Sequence, residues 1–196
     1  LRVQLLLDFA GLALEKGIPM KDEEGLGRLA ASARFDYVPH RGEENGAILV
    51  EGRDLSREIR QPQVERSVSL VARVAEVRRA LVAQQREIAQ PGQIVMAGRD
   101  IGTVVLPHAD LKLFLQASPE ERARRRYLEL HRDRRNTRLM EVLEELKRRD
   151  KIDSERSISP LQPAPEACII NTDGIGLEEV VDRILKLVEK DKCPFS

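Results

Sequence analysis

Gly98, Arg99 and Asp100 close the short apolar run Ile94-Val95-Met96-Ala97 and are followed by Ile101-Gly102-Thr103-Val104-Val105. Such a run predicts a buried strand that delivers two charges to a sheet edge. Ligands in open α/β sheets sit just beyond the carboxyl ends of the strands. Charges beside a core are costly unless paired or used. The segment therefore marks either a binding site or, more plainly, a structural Arg–Asp pair closing a turn. A second group, Arg149, Asp153 and Arg156, is spaced by four and three residues, which places side chains on one helical face. That face suits a sugar hydroxyl on the carboxylate and a phosphate on the arginines. The alternative is a surface ion-pair ladder worth at most about 1 kcal/mol.

Two further features belong with these. Arg122, Arg124, Arg125, Arg126, Arg132, Arg134, Arg135 and Arg138 crowd one segment against only Glu129 and Asp133. A guanidinium is a rigid fork that matches phosphate, where lysine is a point charge. A solvated helix face accounts for the same run. Ser69 and Arg78 lie nine residues apart on a helical stretch, about two and a half turns. An unbroken helix aims them at different faces, so a shared site requires a bend between them. Otherwise they are two ordinary surface residues.

The elements that must position these residues follow from periodicity. Leu5, Leu6, Phe9, Leu12 and Ala13 recur at helical spacing, with Gly17 placed to cap the helix. A short helix is expected over 23–32. Alternation around Phe35 and Tyr37, the Asn45-Gly46 turn, the run Ala47 to Val50 and the turn at Gly52 predict a small antiparallel unit. Pro62 opens a long helical stretch that ends near Pro91-Gly92. Strands are expected at 94–97, 111–115 and 167–170. Ser118-Pro119-Glu120-Glu121 starts a helix to about His131, another spans 137–149, and an amphipathic helix closes 177–190. Strands alternating with helices predict an α/β fold, with a parallel sheet covered on both faces.

Composition narrows the function classes. The chain has 196 residues, 34% of them charged, and no formal net charge, which argues against a general nucleic-acid or membrane-surface binder. No apolar run approaches the roughly 20 residues needed to span a bilayer. Aromatics make up 3% of the chain, with no tryptophan, which disfavours base-stacking RNA recognition. Cys168 and Cys193 form no framework, and a reduced, cytoplasmic protein is expected. Leu1 is followed at once by helical periodicity, so an upstream segment is expected.

Together these motifs resemble the bacterial type of cytidylate kinase over almost the whole chain. The most specific part is Gly98 to Val105, followed by Pro107 and the Leu111 to Leu115 strand; the Arg149-Asp150-x-x-Asp153-x-x-Arg156 spacing is the second. The resemblance implies a P-loop kinase-like domain over 1–196, with a monophosphate-binding insertion at 23–90 and a lid at 118–156. It implies phosphoryl transfer from ATP to CMP or dCMP. Arg2, Arg99 and Arg156 would hold the acceptor phosphate, with Arg99 and Arg156 as the catalytic residues. Ser69, Arg78 and Asp100 would read the cytosine edge, while Arg149 and Asp153 would hold the ribose. No residue is assigned to a metal, and ATP with Mg²⁺ is the expected cofactor set of the intact enzyme. A monomer with no nucleic-acid or membrane partner is expected. Two alternatives stand beside it, another P-loop small-molecule kinase and a non-catalytic arginine-rich module that contacts RNA.

The chain departs from that family pattern in three places. It contains no G-x-x-x-x-G-K-[ST] loop, whose amides and lysine cradle nucleotide phosphates. The central first strand that precedes that loop is expected to be missing with it, and these 196 residues alone are expected neither to bind MgATP normally nor to turn over. Ala97 stands where an acidic residue is usual, and Ala75 where proline is frequent; the first bears on Mg²⁺, the second on the bend between Ser69 and Arg78.

Overall fold

The computed structural model describes residues 5–38, 47–55, 58–132, 137–155 and 161–190. Arg2, Arg156 and the Asn45-Gly46 turn fall outside them, as does the side chain of Asp153. The chain divides into two compact units, Leu1–Val105 and Leu106–Ser196.

In the first unit, α1 (Leu5–Glu15) is buried on most of its circumference, from Asp8 through Ala13. A helix apolar nearly all round belongs inside a protein, and small Ala10, Gly11 and Ala13 let neighbours approach closely. Leu5, Phe9 and Leu12 form the fully buried centre with Leu26, Val50, Val71, Val77 and Leu81. Each such side chain contributes roughly 1.5–3 kcal/mol of burial. Gly17, at φ 67°, ends α1 as expected, with its N–H donating to Leu14 O and the Ile18 N–H to Ala13 O. One carboxyl shares this core. Asp8 is buried, its Oδ2 has no hydrogen-bond partner, and burial together with the nearby Asp54 charge pushes its pKa up to about 7.

Around α1 lie α2 (Glu23–Ser32) and an antiparallel sheet of β1 (Phe35–Val38), β2 (Ala47–Val50) and β3 (Arg53–Asp54) in the order β1-β2-β3. Phe35 faces Val50, and a two-residue turn with positive φ at Glu51 and Gly52 brings Val50 opposite Arg53. The long helical stretch expected from Pro62 is two helices, α3 (Pro62–Val71) and α4 (Ala75–Ala89). Val71, Ala72 and Val74, at the junction of the two, are all buried. Val74 turns extended, at φ −73° and ψ 116°, and α4 starts afresh.

Residues 94–97 do not form the expected buried strand. Only Ala97 makes an isolated bridge, and Val95 is 79% exposed. An apolar run becomes a strand only when neighbours supply its ladder, and neither sheet among the described residues includes this segment.

The second unit holds β4 (Leu113–Gln116) and β5 (Cys168–Asn171), paired parallel with Leu113 facing Cys168. With the helices around it this is the mixed α/β class the sequence predicts. α5 (Pro119–Arg132) and α6 (Leu139–Glu155) pack on each other, and α7 (Leu177–Lys190) closes the unit. Ser118 caps α5 as expected, its Oγ accepting from the Glu121 N–H at 3.2 Å, while Asp173 accepts from the Ser118 N–H at 2.9 Å. Cys168 is disulfide-bonded, contrary to the expectation of a reduced protein. No helix among the described residues is long and apolar enough to cross a membrane.

Candidate active site

In the first unit the site is built on α4. Its sequence carries Arg78, Gln84 and Arg86, and each reaches a different piece of irregular chain. Gln84 ties in β1, accepting from the Phe35 N–H at 3.0 Å and donating to Ala33 O at 2.9 Å. Arg78 forms an ion pair with Asp100, both side chains buried almost completely at 3% and 7% exposure. An Arg–Asp pair that closes a turn is one of the two expectations for this segment. The structure supplies one, but Asp100 takes its partner from α4 rather than from adjacent Arg99.

Ser69 is also buried, near the end of α3, and the bend required between it and Arg78 is the α3–α4 break. Ala75 in place of proline does not prevent that bend, because the extended Val74 provides it. Among the described residues no hydrogen bond joins Ser69 to Arg78 or Asp100. Neither Ser69 nor Arg78 is the ordinary surface residue of the plainer reading.

Asp100 opens a π-helical turn, Ile101–Val105, in which its carbonyl accepts from the N–H groups of Val104 at 2.9 Å and Val105 at 3.3 Å. Gly98 is needed for space: a Cβ there would meet Ile101 Cγ1 at 2.8 Å. At the far end of the turn Arg86 donates from Nε to Val105 O at 2.9 Å and from Nη2 to Val104 O at 2.8 Å. Arg99 is half-buried beside Asp100. Sequence reasoning missed Arg86. Its position two helical turns beyond Arg78 was the available signal.

In the second unit α6 runs beyond the expected end and carries both Arg149 and Asp153, so their four-residue spacing lies on one helix. Arg149 is half-buried. Between them Asp150 accepts a fork from Arg122 on α5, at 3.0 and 2.7 Å, locking the two helices together. Four members of the arginine run are engaged by the protein itself. Besides Arg122, Arg124 and Arg125 hold Glu121, and Arg126 holds Glu129. Arg124, then Arg125, keeps the Glu121 carboxyl below the usual carboxylate range. Arg125 also donates to the carbonyl and hydroxyl of Thr172 at the end of β5. Lys112, hidden inside the apolar 111–115 run, is buried and pairs with Glu166 while donating to Pro107 O.

Among the described residues no group of three or more His, Cys, Asp or Glu is placed to hold a metal ion.

Residues 6–190 match the family described as cytidylate kinase. The cytidylate kinase of Desulfitobacterium hafniense (strain Y51) is 46% identical over 175 residues, which span 89% of this chain and 74% of that protein. Those of Clostridium tetani (strain Massachusetts / E88) and Bacillus licheniformis are 47% and 43% identical, over 91% of this chain and 76% and 79% of theirs. The chain belongs to the cytidylate kinase family.

Proposed function

We propose that the chain handles CMP or dCMP as the acceptor of a phosphoryl group from ATP, with the cytosine edge read by Ser69, Arg78 and Asp100. The observation that carries this reading is the buried Arg78–Asp100 pair. A guanidinium and a carboxylate held together offer both donors and acceptors, as a cytosine edge requires. Arg99, with Arg2 and Arg156, holds the acceptor phosphate, and Arg99 and Arg156 offset the charge that builds as two anionic groups meet. Arg149 and Asp153 bind ribose. Segment 23–90 serves as the monophosphate-binding insertion and segment 118–156 as the lid that excludes water. A cytoplasmic monomer fits these roles, with Mg²⁺ arriving on the ATP phosphates.

The 196 residues contain no G-x-x-x-x-G-K-[ST] loop, so acceptor binding is the direct readout. In calorimetric titrations CMP is expected to bind at least about tenfold more tightly than AMP, the equivalent of one well-made hydrogen bond. Equal affinities for the two nucleotides would refute the cytosine assignment.

A further inference from the structure

We infer that Arg86 is a positioning residue for base selection: it fixes the turn that aims the Asp100 carboxylate. The inference rests on the reading of Asp100 as a base-recognition residue.

The turn from Asp100 to Val105 is attached to α4 at both ends. Arg78 grips the Asp100 carboxylate at the beginning, and Arg86 forks onto the carbonyls of Val104 and Val105 at the end. Within the turn the Asp100 carbonyl collects two N–H groups and the Thr103 hydroxyl. The last carbonyls of any helical turn have no donor of their own and must find one elsewhere. Arg86 meets that need with a charge-assisted fork, stronger than neutral hydrogen bonds. Both arginines stand on one helix, so the spacing of the two attachments is set by α4. Without the second attachment, the turn is free to pivot about the Arg78–Asp100 pair, and the carboxylate loses its fixed direction.

Arg86 is itself exposed, so its replacement leaves the core intact. The experiment compares wild type, Arg86→Gln and Arg86→Lys by calorimetric titration with CMP and AMP, and by hydrogen exchange at the Val104 and Val105 amides. In Arg86→Gln the CMP-to-AMP affinity ratio is expected to fall about fivefold or more. Exchange at both amides should quicken, while far-UV circular dichroism stays unchanged. Arg86→Lys should restore part of the ratio, because an ammonium keeps the charge but lacks the planar fork that matches two neighbouring carbonyls. An unchanged ratio in a selective protein would overturn the inference, and so would unchanged exchange. Should wild type itself fail to prefer CMP, the proposed function falls. Faster exchange in Arg86→Gln would then still uphold the attachment of the turn, and unchanged exchange would remove both.

Discussion

Replacing Asp100 with alanine is expected to destabilise the first unit by about 3–5 kcal/mol, because it withdraws the carboxylate facing a buried guanidinium. Far-UV circular dichroism during urea unfolding reads that loss directly. The same substitution should erase the preference for CMP over AMP, while the affinity for phosphate changes less, as the proposed assignment of the phosphate to other arginines requires. The two effects can be separated. Buried ion pairs are often replaceable by apolar side chains of similar volume at little net cost. The double variant Arg78→Met with Asp100→Leu should therefore regain most of the stability and none of the selectivity. A loss below about 1 kcal/mol in Asp100→Ala would mean that the pair is not shielded from water.

The second large effect depends on pH. Asp8 has its pKa raised to about 7 from an ordinary 3.8, first by burial and then by Asp54. The neutral acid is thus favoured by the fold. Its stabilisation is complete below the unfolded value and is lost progressively as pH rises through the folded one. Over that interval the loss amounts to about 4 kcal/mol. Urea midpoints should fall between pH 5 and pH 8 in wild type and stay nearly level in Asp8→Asn, with the variant the more stable protein at pH 8. The carboxylates held low by ion pairing, Glu15, Glu120, Glu121 and Glu166, act in the acid range below this window. Parallel pH profiles for wild type and variant would remove Asp8 as the cause.

Local chemistry made much of this architecture legible in the sequence. The helices at 23–32 and 177–190, the cap at Ser118 and the run Ala47–Val50 follow from caps, turns and periodicity, and the structure places them there. Two misjudgements share one origin. The 94–97 run has the composition of a strand, but strand formation depends on partners that composition does not encode. The 62–89 stretch keeps an apolar period across its break because Val71 at the end of α3 and Val74 in the extended break are both buried. In the candidate site, Asp100 was evident from its motif, whereas Arg86 acts on backbone carbonyls and left only its helical spacing from Arg78 as a signal. The arginine run suits either a phosphate surface or a solvated face, and among the described residues four of its members pair with Asp150, Glu121 and Glu129.

The parallel pairing of β4 with β5 has a kinetic consequence. Leu113 meets Cys168 only after two whole helices have been made between them, whereas β2 and β3 meet across two residues. Closing a long loop costs entropy that is repaid only when the distant partners dock. During refolding, amide protection should thus arise early at the hairpin linking Val50 to Arg53 and last along Leu113–Gln116. Until that late step, the edges of both strands stay available to other molecules, so refolding yield should drop as protein concentration rises.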